Sequence, residues 1–186
     1  MSFNEYWNHI YKLDHELYSS TSLYWRQYSN PETWQFWVVL ILLVCPLIIL
    51  YFAVDRKRIF EVFFFGYTYH MLWTYTDLVL SRGNLFIHQY FITPFLPYSI
   101  NITASLLPVG YLLVYQYCTN REEKNFYLYG ILVSAIFSFV FAPLEKYVGI
   151  LKIREGFNYL YLFLIDVMIM LLTFWFTKFV LKMKNG

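Results

Sequence analysis

The stretch FWVVLILLVCPLIILYFAV, residues 36–54, carries no charge from end to end and stops abruptly at DRKR, residues 55–58. An apolar run of about 20 residues is the length of helix that crosses a ~30 Å hydrocarbon core. The basic block behind it reads as the point where the chain meets water again. Composition agrees. The 186 residues are 59% hydrophobic and 24% aromatic, with 19 Tyr, 19 Phe and 6 Trp, and only 14% are charged. A soluble globular domain carries about 25% charged residues, so the polar surface of one is missing. The same numbers exclude disorder, which needs low hydrophobicity and high charge. Cys45 and Cys118 are too few for a disulfide scaffold and read as free thiols. The chain therefore reads as all-α: a polytopic integral membrane protein of about five transmembrane helices plus an N-terminal interfacial helix.

Outward from residues 36–54, four further spans are expected at 59–80, 98–117, 126–144 and 157–180. Pro46 and Pro108 fall inside spans and should kink them. Residues 1–35 form an aromatic interfacial segment, 36–180 the transmembrane domain, and 181–186 a basic tail. The first segment lacks a basic leader, and Glu5 and Asp14 interrupt any apolar core, so it does not read as a signal peptide. Its Tyr6, Trp7, Ile10, Tyr11, Tyr18, Tyr24, Trp25 and Tyr28 alternate with polar residues, which suits the headgroup zone. A helix is expected over 3–18, a Ser/Thr turn at 19–22, and a turn or helix start at Asn30-Pro31-Glu32. Residues 81–97 are too apolar for a plain loop and should lie along the outer interface or re-enter the bilayer. With five spans, Arg56, Lys57, Arg58, Arg121, Lys124, Lys178, Lys182 and Lys184 share one side. Lys12, Arg26, Arg82, Lys146, Lys152 and Arg154 share the other. The excess favours the N-terminus outside and the C-terminus inside a cell membrane.

Ionisable groups inside a span cost about 2.5–3.5 kcal/mol on the translocon scale, so each is a functional candidate. Glu61, His70, Asp77 and Asp166 qualify. At about 1.5 Å per residue, His70 lies roughly 15 Å below the outer end of its span and Asp166 roughly 13–14 Å below that of its own. The two share a depth, so a His70–Asp166 hydrogen bond is expected, as proton relay, ligand-pocket wall or buried structural bridge. Asp77 lies on the His70 face near the outer boundary, where Arg82, His88 and Glu145 also collect. These line the mouth of an outward-opening cavity or cap one another. Glu61, one turn after Lys57 and near the inner boundary, is expected to form a local ion pair or to snorkel to water. Tyr67, Tyr69, Trp73, Tyr75, Tyr111 and Tyr115 are candidates for a flat apolar pocket, with ordinary packing as the alternative. His9, His15 and Glu16 are poorly spaced for a metal, and Asn101-Ile-Thr103 matches a glycosylation pattern but sits at a span end. Neither a cofactor, a metal nor a nucleic-acid partner is expected, and no catalytic motif is present.

Several stretches resemble an uncharacterised family of small multi-pass membrane proteins of spore-forming Firmicutes. They are DRKRIFE at 55–61, YTD at 75–77 through Gly83, FLP at 95–97, LPVGY at 107–111 through YQY at 115–117, and PLEKY at 143–147. The likeness covers about residues 36–180. It implies the topology and a bacterial inner-membrane setting, and no residue role. Three functions stay open. The first is a non-catalytic subunit or small-ligand binder with an outward-facing polar pocket, using His70, Asp77, Asp166, Arg82 and Glu145. The second is a proton- or cation-linked transporter or channel component, and the third an intramembrane lipid or isoprenoid enzyme. Besides the lipid bilayer, a membrane-protein partner or homo-oligomer is a candidate partner, and Gly130, Ser134 and Ser138 would form its small-residue seam.

Overall fold

The computed structural model describes residues 1–120 and 125–184. Arg121, Lys124 and the last two residues of the basic tail lie outside the described residues. Among the described residues, seven α-helical segments follow one another: α1 Phe3–Tyr28, α2 Trp34–Ala53, α3 Ile59–Arg82, α4 Leu107–Asn120, α5 Phe126–Ile136, α6 Ala142–Tyr147 and α7 Tyr159–Lys184. A π-helical turn, Ile102–Leu106, leads into α4, and a second, Phe137–Phe141, joins α5 to α6. Two short strands, β1 Phe86–His88 and β2 Leu151–Ile153, pair antiparallel with Phe86 opposite Ile153 and His88 opposite Leu151.

The core is where α3, α4, α5 and α7 meet, with α2 laid against α4 and its π turn. Aromatic rings fill it in layers. Phe65 stacks on Tyr115 at 4.3 Å, Tyr69 on Tyr111 at 4.4 Å, and Phe126 on Phe174 at 4.4 Å. One end of the bundle carries the two-stranded sheet; the other carries the basic stretch 55–58. Three helices are long and apolar enough to cross a membrane: Trp34–Ala53, Phe126–Tyr147 and Tyr159–Met183. The remaining two expected spans are helical, over 59–82 and 100–120, but less apolar. Their polar side chains explain the difference, because these point inward: Asp77, Asn101, Thr103, Ser105, Tyr111 and Tyr115 are all buried.

Each proline has a local consequence. Pro46 cannot donate a helical hydrogen bond to Leu42 O, and the neighbouring Leu43 carbonyl accepts an extra one from Ser105 Oγ at 2.6 Å. The two π turns share one design. In the first, Leu107 N–H bonds Ile102 O, five residues back. The next residue, Pro108, has no N–H to give, so Thr103 O is left without a helical donor. Pro143 stands in the same relation to Ser138 O after the second π turn.

Two expectations about the segments are corrected, for residues 19–22 and for Gly130, Ser134 and Ser138, and residues 81–97 prove to hold a strand. Helix α1 runs unbroken through 19–22, starting from a capping box in which Ser2 Oγ accepts from Glu5 N and Glu5 accepts from Ser2 N. Serine and threonine cost a helix only a few tenths of a kcal/mol each. Beyond them α1 gains tertiary contacts: Trp25 Nε1 donates to Ile92 O at 2.9 Å, and Ser29 Oγ bonds both the N–H and the carbonyl of Phe91. Residues 81–97 contain strand β1, whose partner lies far along the chain. Two three-residue strands give no readable alternation. Gly130, Ser134 and Ser138 face the bundle interior. Gly130 lies so close to Met170 that an added Cβ would sit 3.0 Å from its sulfur, and both serines are buried.

Candidate functional site

At the sheet end, the bundle forms a partly open cavity of about 40 Å3, room for two or three water molecules. Its walls come from several elements: Trp73 and Asp77 of α3, Thr103 and Leu107 at the first π turn, Phe137, Ser138 and Phe141 at the second, Ala142 and Glu145 of α6, Leu162 and Asp166 of α7, and Phe86 and His88 of β1. Strand β1 thus supplies one wall of the chamber. Helix α6 is pinned beneath it by a Schellman end: Ile150 N–H bonds Glu145 O at 2.8 Å, Gly149 N–H bonds Lys146 O at 3.2 Å, and Gly149 adopts φ +76°.

The polar groups of the chamber divide into satisfied and unsatisfied. Asp166, 1% exposed, accepts hydrogen bonds from Tyr69 Oη, from Tyr111 Oη and from Trp73 Nε1 at 2.7 Å. Tyr111 Oη also lies 2.5 Å from Ser134 Oγ, which donates to Gly130 O at 3.0 Å. Asp77 accepts from Ser99 Oγ. His88 and Glu145 are different. They are 3% and 5% exposed, yet neither ring nitrogen of His88 nor Glu145 Oε1 has a hydrogen-bond partner. His88 Nε2 and Glu145 Oε2 lie 3.9 Å apart, beyond direct hydrogen-bond reach and within reach of a bridging water or a small adjustment. Burial by itself pushes His88 down, but the Glu145 carboxylate, with Asp77 behind it, more than offsets this and holds His88 above its ordinary value.

The expected site residues separate accordingly. Asp77, Asp166 and Glu145 converge on the chamber, joined by His88. His70 does not reach Asp166: its Nδ1 lies 2.7 Å from Thr103 O, the carbonyl that Pro108 leaves open, and 3.2 Å from Thr74 Oγ1. Counting residues gives a shared depth but not a shared face. Asp166 meets Tyr69, one residue and about 100° round the helix from His70. Arg82, the last residue of α3, is exposed and does not line the chamber. Tyr67 and Tyr75 are exposed, while Tyr69, Trp73, Tyr111 and Tyr115 pack on one another and on polar partners, so they frame no slot for a flat ligand. Among the described residues, no group of three His, Cys, Asp or Glu side chains has a spacing that could hold a metal ion.

A second polar cluster closes the opposite end. Glu61 pairs with Arg58 rather than Lys57, and accepts from Tyr115 Oη at 2.6 Å. Arg58 also donates to Thr119 Oγ1 at 3.0 Å and to Asn120. Gln116 accepts from Asp55 N at 2.7 Å and donates to Ala53 O at 2.9 Å. This cluster is well bonded and ties the α2–α3 turn to the end of α4. No family model, curated protein or solved structure matches the chain. The signal the sequence carries for Thr103 and Ser138, beyond the glycosylation pattern and the small-residue seam, is their spacing to a proline. Each stands five residues before a proline, at LLP and FAP, and each contributes a chamber wall.

Proposed function

We propose that the protein is a non-catalytic multi-pass membrane protein that binds a small cation, a proton or an ion no larger than ammonium, in the chamber at the sheet end. The observation that carries this reading is the buried pair His88 and Glu145, whose hydrogen-bonding atoms face a cavity and are unmet. A buried polar group without a partner costs about 1–3 kcal/mol, so such atoms are retained where something meets them. Three carboxyl groups, those of Asp77, Glu145 and Asp166, line the chamber and favour positive charge there. A cavity of this size leaves no room for a lipid or isoprenyl chain, since organic ligands need about 300 Å3 or more. The inward-facing small-residue strip on α5 removes one support for a subunit seam.

In this reading five helical passes cross the bilayer, because the polar content of 59–82 and 100–120 is buried and their outer faces, such as Phe60, Phe63, Leu78 and Val79, remain apolar. The basic turn at 56–58 then faces the cytoplasm and the sheet end faces outward. Helix α1 lies on the outer surface. Its Phe3, Trp7, Ile10 and Leu17 fall on one helical face and Lys12, Glu16 and Arg26 on the other. A bacterial cell membrane, as the Firmicute resemblance implies, is the natural setting.

The test is thermal unfolding of the purified protein in detergent at constant ionic strength, with ammonium, sodium or potassium set against N-methylglucamine, and across pH 5 to 8. A small cation or proton should raise the midpoint, by about 2.7 kcal/mol of stability at 100 times its Kd, and Glu145→Gln should remove the effect. Equal midpoints in every cation and at every pH overturn the reading.

A further inference from the structure

At the end of the bundle opposite the sheet, two grooves flank the first turns of α3. One, of about 420 Å3, lies between α3 and the end of α7; Phe60, Phe64, Val180 and Leu181 wall it, and Lys57 stands at its basic end. The other, of about 460 Å3, lies between α2 and α3; Leu47, Leu50, Ile59 and Phe63 wall it, and Arg56 stands at its basic end. Both volumes fall in the range of organic-ligand sites, about 300–1,000 Å3. Phe60, on the rim between the two, is 90% exposed. The turn that carries the cations is held in place by Arg58, which is bound to Glu61, Thr119 and Asn120, and by Asp55, which accepts from Lys57 N and from Asn120. Two basic side chains are left over. Among the described residues, neither Arg56 nor Lys57 has a carboxylate within ion-pair distance, and the Arg56 guanidinium lies 5.7 Å over the Tyr51 ring. Lys178 and Lys182 add charge from the last turns of α7, and the connection at 121–124 carries two charges of each sign, so a positive excess stands at this end.

We propose that this turn binds an anionic phospholipid of the inner leaflet, its phosphate held by Arg56 and Lys57 and its acyl chains laid along the two grooves beside α3. This rests on the reading of residues 59–82 as a bilayer pass, and not on the chamber, which lies at the other end. Basic pockets between membrane-spanning helices on the cytoplasmic side are where anionic headgroups collect. An arginine offers a phosphate two parallel donors, and a lysine adds a point charge. The occupant is fixed by the pairing of charge with oil. A free phosphate would use the cations but leave the faces of Phe60, Ile59 and Phe63 uncovered. A zwitterionic lipid would cover those faces, but its own ammonium offsets the charge on its phosphate. Only a lipid with net negative charge meets both the unpaired cations and the apolar walls, and Phe60 then lies between its chains.

The test is lipid retention by the full chain in detergent, read by native mass spectrometry with phosphatidylglycerol and phosphatidylcholine of one acyl composition added in equal amounts. Phosphatidylglycerol should be retained about tenfold or more over phosphatidylcholine. Arg56→Gln combined with Lys57→Gln should abolish that preference. Lys152→Gln combined with Arg154→Gln removes the same charge at the sheet end and should leave it intact. Val180→Trp, which narrows one groove without altering charge, should lower phosphatidylglycerol retention by about threefold or more. Glycerol 3-phosphate, a headgroup without chains, should not displace the lipid even at about hundredfold excess. Equal retention of the two lipids, a preference that survives loss of Arg56 and Lys57, or one lost as readily in the sheet-end control overturns the proposal. So does retention unmoved by Val180→Trp, and displacement by glycerol 3-phosphate would reassign the turn to a free phosphate. A chain that disperses without detergent removes the membrane reading beneath the proposal, whereas equal retention by a chain that needs detergent removes the proposal alone.

Discussion

Replacing Tyr111 by phenylalanine isolates the anchoring of Asp166 from everything else in the core. The ring keeps its stack on Tyr69 at 4.4 Å, and no volume beyond one hydroxyl is lost. What disappears is the donor to Asp166 and its contact with Ser134 at 2.5 Å. Ser134 retains its bond to Gly130 O, and Asp166 retains Tyr69 and Trp73. A hydrogen bond to a buried charged group is worth about 1.5–3 kcal/mol, so Tyr111→Phe should cost about 2 kcal/mol. For a chain of this length that is a fall of about 4–8 °C in Tm, read by thermal unfolding in detergent. Tyr67→Phe, at a residue 63% exposed, should change nothing measurable. In an Asp166→Asn background the cost of Tyr111→Phe should shrink, giving a coupling above about 0.5 kcal/mol. A Tyr111→Phe variant as stable as the Tyr67 control, or strict additivity with Asp166→Asn, would refute the reasoning.

Further outcomes follow from other parts of the molecule. His70→Ala strands the Thr103 carbonyl and should destabilise by about 1–3 kcal/mol. Denaturant or thermal unfolding in a Pro108→Ala background should show a smaller loss, because the substituted residue regains an N–H that can donate to that carbonyl. Ser29→Ala removes both bonds to Phe91 and should loosen the tether of α1, seen as faster backbone hydrogen exchange around residue 91 with the bundle unaffected. Gly149→Ala places a side chain at φ +76° and should cost about 1 kcal/mol or more, measurable in the same unfolding assay. His88 is held above its ordinary value, so its share of stability is full below about pH 6.5 and is lost as pH rises through its folded value. His88→Gln should remove that part of the pH dependence, and an unchanged pH profile would contradict it.

Helix positions were legible because a long apolar run advertises itself. The start of α2 and the end of α3 fall within two residues of the expected spans. The convergence of Asp77 and Glu145 was legible too, since both stand near one end of their helices. The His70–Asp166 pairing failed because depth follows from counting residues, while the angle about the axis depends on which neighbour packs where. Tyr69 looked like core packing, and only contact with α7 shows its hydroxyl donating to Asp166. The local ion pair expected at Glu61 is present, but only the packed structure decides that Arg58 is the partner. Lys57 and Arg58 both lie within a turn, and the 3₁₀ geometry of Arg56–Arg58 with Thr119 and Asn120 nearby selects the arginine.

The amino-acid order alone determines that this chain is helical, that its longest runs are too oily for water, and that its carboxyl groups sit among aromatic rings. Those are consequences of local composition and a helical repeat, which need no partner. Tertiary structure decides which of the buried polar groups are fully bonded and which are left wanting. His88 becomes important only because β1 finds β2 more than sixty residues away and supplies one wall of the chamber. Hydrogen bonds have direction and a reach of about 3 Å, so no counting along the chain can assign them before the helices have packed.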